Sequence, residues 1–289
     1  MKLAHALSEG AYVLAEAGVD APMADSRQLA EHLLGCPLYM APPALTPEVE
    51  ADFFRLIGRR AAREPLQHIT GTMTFRFLTL AAAPGVFITR PETEWMVDAA
   101  LVEIRRLARQ RRVSVVDWCA GSGAIGLAIA SEVAGVDVVA VELDPAAAAL
   151  ARKNAQANPP DPDSTWRLIE ADATRPDTLA DRDGCVDVIV TNPPYVPAGT
   201  ITQPEALADP DLALYGGGAD GLAIPRALLS RAADLLSGGG ICFMEHADDQ
   251  NPALAAACVD LGLASALGKD QTGRIRWIVA RKSAGDVEQ

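Results

Sequence analysis

A chain of 289 residues is long enough for one large domain and a smaller one, and a hydrophobic share of 49% supplies a sizeable core. Its net charge of -13 and pI of about 4.7 argue against wrapping a nucleic-acid backbone, because phosphate binding draws on clustered Lys and Arg. Five scattered cysteines without a CxxC pair and four dispersed histidines argue against a disulfide framework and a zinc or other metal site. The start, MKLAHALSEGAYVLAEAG, lacks a long apolar h-region, and no apolar run is long enough to span a bilayer. A cytoplasmic protein with no membrane association is therefore expected.

Residues 1–64 read as a small helical bundle. Leu3, Leu7, Tyr12, Val13 and Leu14 sit near helical spacing before Gly18. A second helical segment covers 23–34, closed by Gly35 and Pro37. A third runs from Pro47 to about Arg63, with Phe53, Phe54, Leu56 and Ile57 as its apolar stripe. Residues 65–89 change character: Thr, Phe and Leu alternate, punctuated by Gly71 and Pro84-Gly85, which predicts a hairpin connector.

Over 90–282, strands alternate with helices. Pro91 opens a helix with Glu92 and Glu94 in its first turn, where the dipole favours them. Strands are predicted at VSVVD (113–117), DVVAVE (137–142), WRLIE (166–170), DVIVT (187–191) and GICFME (240–245). Helices are predicted from about Gly123, over 145–157 and over about 222–236. RIRWIVARK (274–282) alternates like an antiparallel edge strand. This is the pattern of an α/β, doubly wound, mostly parallel sheet, whose ligands bind at the carboxyl ends of the strands near the switch point. The tail SAGDVEQ (283–289) is expected to be disordered.

The first strand of the sheet runs into Asp117-Trp118-Cys119-Ala120-Gly121-Ser122-Gly123. Glycines 121 and 123 let the backbone turn tightly and approach a ligand, and the following helix offers free N–H groups. Alone, G-x-G is equally the signature of a tight turn. The second strand ends in Glu142, where an acid can accept both hydroxyls of a ribose, and the third leads to Asp172. An acid before the glycines suits a cationic ligand better than a pyrophosphate. Together these features resemble the S-adenosylmethionine site of the Rossmann-like methyltransferases. The resemblance places Asp117 beside the methionine moiety, Glu142 on the ribose and Asp172 near the adenine. It adds Ala120, Gly121, Gly123, Leu143, Ala173 and Asn192 to the cofactor pocket.

Asn192-Pro193-Pro194-Tyr195 succeeds the fourth strand. Two prolines stop the strand and stiffen the segment after it. In the methyltransferases this motif marks transfer to a nitrogen attached to an sp² carbon. Such a nitrogen is a poor nucleophile, so the enzyme must hold its N–H groups in acceptors and aim its lone pair at the methyl. The Asn192 side-chain oxygen and the Pro193 carbonyl can be those acceptors, Pro194 keeps the carbonyl rigid, and Tyr195 can pack against the planar group.

HITG (68–71), Phe75, the run Pro84-Gly-Val-Phe-Ile-Thr-Arg-Pro-Glu-Thr-Glu94, GGGADGLAIPR (216–226), the glycines before GICFMEH, and Gln250 closely resemble the HemK/PrmC-type glutamine methyltransferases of peptide chain release factors. The resemblance covers nearly the whole chain. It implies a seven-stranded Rossmann-like sheet and methyl transfer from S-adenosylmethionine to the glutamine amide of a Gly-Gly-Gln loop. It further implies that the helical domain grips the release factor, Arg90 lies at the substrate edge, and the enzyme works as a monomer without binding nucleic acid directly. Two departures stand out: Thr89 replaces the usual Pro, and Trp118, Cys119 and Ala120 replace smaller or Thr-containing choices in the glycine turn. Cys119 reads as a packing residue, and His68 and His246 read as structural or site-lining. Glutamine methylation of a ribosomal protein is the nearest alternative. Nucleic-acid amino-methylation, a nicotinamide dehydrogenase and a non-enzymatic scaffold are further ones.

Overall fold

In the computed structural model residues 1–284 are described; of the expected tail, 285–289 lie outside the described residues. Contacts divide the chain into two compact units. One comprises Met1–Met73, Ala82–Pro84 and Thr202–Ala208; the other holds the remainder.

The first unit is helical. Helices α1 (Leu3–Glu16), α2 (Pro22–Leu34), α3 (Pro47–Ala61) and the short α4 (Leu66–Thr70) surround Leu14, Leu29, Phe53 and Ile57. The third helix shows why its sequence starts and stops there. Thr46 caps it by accepting from Val49 N at 3.4 Å, Pro47 holds the first turn, Glu48 and Glu50 meet the positive end of the dipole, and Arg59 and Arg60 meet the negative end. Phe53 and Phe54 pack edge to face, with ring centroids 5.3 Å apart. Buried Arg60 pairs with Asp25 at 2.7 Å and Glu205 at 2.8 Å, and Arg63 grips the same Glu205 at 2.6 Å. A buried charge this well paired avoids the desolvation cost of a lone one.

A two-stranded hairpin, β1 (Thr72–Phe75) and β2 (Leu78–Ala81), comes next. The second unit is the α/β sheet. Its strands are β3 (Val113–Trp118), β4 (Val136–Glu142), β5 (Thr165–Glu170), β6 (Val186–Thr191), β7 (Leu236–Glu245), β8 (Leu263–Lys269) and β9 (Ile275–Lys282), in the order β5-β4-β3-β6-β7-β9-β8. Its longer helices are α5 (Pro91–Ala108), α6 (Ala124–Glu132), α7 (Pro145–Ala157), α9 (Ala223–Leu235) and α10 (Asn251–Asp260), with the one-turn α8 (Asp211–Leu214) before α9. The runs Val113–Trp118 and Val186–Thr191 are buried almost throughout, as central parallel strands covered on both faces must be.

Two expectations are corrected. Within 65–89, expected as a hairpin connector, Leu66–Thr70 form the helix α4, and only Thr72–Ala81 form the hairpin. RIRWIVARK is antiparallel, but it is not the edge. It pairs with β7 on one side and with β8 on the other. The edge strand reads LASALGK, without the aromatic and β-branched residues or clear alternation that announce a strand. It forms because β9 offers it a ladder. No helix among the described residues is long and apolar enough to cross a membrane.

Candidate active site

The site is set by a register. Trp118 lies opposite Thr191 in the parallel pair β3–β6, so the chain leaves the sheet at Cys119 and at Asn192 from neighbouring strand ends. The Thr191 hydroxyl donates to the Trp118 carbonyl at 2.9 Å and ties the two exits together. This is the switch point, because β4 and β5 lie on one side of β3 and β6 and β7 on the other.

On the β3 side, Glu142 organises the glycine turn. One carboxylate oxygen accepts the Gly121 N–H at 2.7 Å and the other the Asp144 N–H at 2.8 Å. Asn154 donates to the Ser122 carbonyl at 3.0 Å and accepts from Ala81 N at 2.7 Å, pinning the turn and β2 together. Asp117 lies beneath, fully buried. One of its oxygens accepts the Gly126 N–H at 2.8 Å, and the other has no partner among the described residues. Burial pushes its pKa up to about 8; the Gly126 N–H opposes this and the Glu142 charge adds to it. Asp172 accepts the backbone and hydroxyl of Thr174 at 2.9 and 2.6 Å.

On the β6 side, the Asn192 amide donates through Nδ2 to the Thr93 hydroxyl at 3.4 Å. That hydroxyl donates to Glu245 Oε2 at 2.7 Å, and the Tyr195 hydroxyl reaches Glu245 Oε1 at 3.4 Å. Thr93 and Glu245 are buried. Burial pushes Glu245 up to about 7, against the pull of the Thr93 hydrogen bond, and both burial and the Glu245 charge push the Tyr195 phenol up. The main chain of the motif is held separately. Gln250 Nε2 donates to the carbonyls of Tyr195 at 2.8 Å and Asp220 at 2.9 Å, and Val196 N donates to Leu214 O at 2.8 Å.

Between the two sides lies a cavity of about 190 Å³. Of the sequence-predicted residues, Ala120, Gly121, Glu142, Leu143, Asp172, Ala173, Asn192 and Pro194 line it. Asp117, Gly123, Pro193, Tyr195 and Arg90 are not among its lining residues. Arg90 is occupied: it pairs with Asp209 and lies over the Phe87 ring, 5.1 Å from its centroid. Asp209 also accepts from Ile88 N at 3.1 Å, which joins the wall at Phe87 and Thr89 to the wall at Pro210 and Leu212. His68 in α4 and His246 do not line the cavity. His246 is buried with Nδ1 2.6 Å from the Ala247 carbonyl, and burial lowers its pKa. Trp118 points into the core beneath the sheet ends, so its bulk is absorbed there. Cys119 packs half-buried at the cavity wall, where burial and neighbouring acids push its thiol up, away from nucleophilic use.

Thr93, Glu245 and Asp209 are buried residues, tied to predicted site residues, that the sequence alone does not single out. Thr93 sits inside the run that carries the resemblance, and Glu245 ends a predicted strand, so both have a positional signal. Asp209 has none.

Residues 5–71 match the PrmC N-terminal domain family and 78–208 the methyltransferase small domain family. The chain is 43% identical to the release factor glutamine methyltransferase of Bifidobacterium longum, covering 97% of this chain and 99% of that one. It is 39% identical to the release factor glutamine methyltransferase of Corynebacterium glutamicum, over 98% and 99%. In fold it is similar to the T. Thermophilus 16S rRNA N2 G1207 methyltransferase, with a TM-score of 0.51 and 24% identity over 73% of this chain and 49% of the other. With its two-sided site at the β3–β6 switch point, this chain belongs to the release factor glutamine methyltransferase family.

Proposed function

We propose that this protein transfers a methyl group from S-adenosylmethionine to the side-chain amide nitrogen of the glutamine in the Gly-Gly-Gln loop of peptide chain release factors. The observation that carries the reading is the placement of Asn192 in the wall of the cavity that Glu142 and the glycine turn also build.

The residues present fit the cofactor. Among the described residues, the lining contains the acids Glu142, Asp144 and Asp172 and no Lys, Arg or His. Such a wall favours a sulfonium and an ammonium group and disfavours a pyrophosphate, which separates this site from a nicotinamide one. The buried Ser122 hydroxyl at the same wall has no partner among the described residues and is available to a ligand. Glu142, fixed by two backbone N–H groups, keeps lone pairs for the ribose hydroxyls. Leu143 and Ala173 line the cavity beside Asp172 and would hold the adenine there. Asp117 acts from below by holding the start of α6 through Gly126. When bound, the cofactor supplies an electrophilic methyl on a positively charged sulfur.

The chain's own task is to make a poor nucleophile adequate. The glutamine NH₂ is held by the Asn192 Oδ1 and the Pro193 carbonyl, each accepting one N–H, so its lone pair points into the cavity. Alignment of this kind lowers a barrier by about 7–11 kcal/mol in well-oriented systems. As the methyl passes from the sulfonium, which would leave as a neutral thioether, to the nitrogen, that nitrogen would turn cationic; the two acceptors would stabilise the charge, and one N–H proton would pass to solvent to restore a neutral amide. Tyr195, half-buried and tied to Glu245 and Gln250, stiffens this edge. The helical segment 1–64 grips the release factor, and a monomer suffices in the cytoplasm.

The test is mass spectrometry of a release factor after incubation with the protein and S-adenosylmethionine. One added methyl on the loop glutamine is expected. An unmodified loop, with a ribosomal protein or nucleic acid methylated in parallel samples, overturns the reading.

A further inference from the structure

The motif's asparagine can serve as an acceptor only if its amide is turned the right way, and an amide has two ends of similar shape. Resting on the function proposed for this site, we propose that Thr93 and Glu245 are a positioning pair that fixes the Asn192 amide with Nδ2 inward and Oδ1 free for the substrate NH₂. The single proton of the Thr93 hydroxyl decides the orientation. It is given to Glu245 Oε2 at 2.7 Å. The oxygen can then only accept, and the one Asn192 atom able to donate to it is Nδ2, which lies 3.4 Å away. Thr93 on α5 and Glu245 at the end of β7 are both buried, so water does not compete for these positions.

The same chain of bonds runs backwards once Glu245 is protonated. A carboxylic acid donates to Thr93, the Thr93 hydroxyl is free to donate to Asn192 Oδ1, and the amide turns over. It then presents N–H groups to a substrate that offers N–H groups. Besides Thr93, three side chains among the described residues act on Glu245. Glu92 on α5 opposes its ionisation, whereas Arg276 on β9 and the Tyr195 hydroxyl after β6 favour it. Arg276 is itself shared with Asp270 at 2.9 Å and Glu92 at 3.9 Å, which dilutes its help. Burial lowers the pKa of His246, the next residue along. With burial the dominant influence, Glu245 titrates near neutrality, and turnover rises with pH as the ionised form takes over.

The experiment measures kcat, KM and cofactor Kd from about pH 5.5 to 9 on a purified release factor. Wild-type kcat should rise to a plateau through a limb near pH 7. Thr93→Val keeps the shape and removes the hydroxyl; its kcat should fall about tenfold with cofactor Kd within about twofold, and the limb should flatten. Thr93→Ser should restore both. Glu245→Gln should also lose the limb, which keeps the test decisive should the valine variant prove unfolded by circular dichroism. A wild-type kcat in Thr93→Val, or an unchanged limb in Glu245→Gln, overturns the pair. An inactive wild-type enzyme instead overturns the parent function, so the two failures are distinguishable.

Discussion

The glycine turn and the proline motif stand side by side at the ends of β3 and β6, yet they are held in opposite ways. The turn is fastened by its neighbours: Asp117 reaches nine residues to Gly126, and Glu142 reaches 21 to Gly121. The motif is fastened from afar: Asn192 meets Thr93 across 99 residues, Tyr195 meets Glu245 across 50, and Gln250 meets the Tyr195 carbonyl across 55. The glycines differ in the same sense. A Cβ at Gly121 would meet nothing within 4 Å, whereas one at Gly221 would lie 2.2 Å from the Tyr195 carbonyl oxygen. The glycine turn is therefore held mainly by segments that succeed one another from β3 to α7, with Glu142 at the end of β4 and Asn154 on α7. The proline motif is held only when α5, β7 and the loop before α9 have all arrived.

Substitutions on the two sides put that contrast at risk. The largest effect is expected for Asn192→Ala, which should lower turnover by roughly 10²–10³ while leaving cofactor affinity nearly intact, by analogy with removal of one transition-state contact. Unchanged turnover in steady-state kinetics would remove Asn192 from the acceptor role. Gly221→Ala comes next. Its Cβ must displace the motif's backbone, and its φ of +72° is unfavourable for alanine, so kcat should drop about a hundredfold. Gly121→Ala, strained only by its φ of +56°, should cost about 1–2 kcal/mol in stability and far less in kcat. Equal kcat losses in the two variants would erase the distinction.

Glu142→Ala strips the acceptor from two backbone N–H groups and from the ribose. Isothermal titration should show cofactor Kd weakened about 10- to 100-fold, the range for charged hydrogen bonds, with kcat at saturation less affected. A normal Kd would move the ribose elsewhere. The smallest effect is thermodynamic. The folded-state pKa of Asp117, about 8, lies above its ordinary value of 3.8. The native state thus holds a proton that the unfolded chain has released, and wild-type stability falls as pH rises between those values. Asp117→Asn retains an acceptor for Gly126 but cannot ionise. Its Tm relative to wild type should be higher at about pH 8.5 than at about pH 5, by a few degrees on the order expected for 1–2 kcal/mol in a chain of this size. A difference independent of pH would show that burial does not act on this carboxyl.

The contrast also explains which parts of the site are legible in the sequence. Gly121, Glu142 and Asp172 announce themselves because each lies at or just past a strand end. The four residues 192–195 announce themselves because two prolines ending a buried strand have no ordinary structural use. Thr93 looks like one more residue of a helix start, and Arg90 looks available for substrate. Nothing near them in sequence reveals that Glu245 waits for the first and Asp209 for the second. The edge strand Leu263–Lys269 is hidden for a related reason: its residues have little intrinsic strand preference, and β9 supplies the reason for it to extend.

The alternation of strands and helices, the helical amino-terminal segment, the glycine turn and the stiff polar motif are all dictated locally, because each is written in short-range periodicity or in residues with restricted backbones. Folding in three dimensions was needed to settle which groups hold that motif, which acids reach the cavity and which stay beneath it, and which strand lies at the sheet's edge. Hydrogen bonds spanning 50 to 99 residues, and the burial that lifts Glu245 and Asp117, arise from distant segments meeting, and no local pattern records such a meeting.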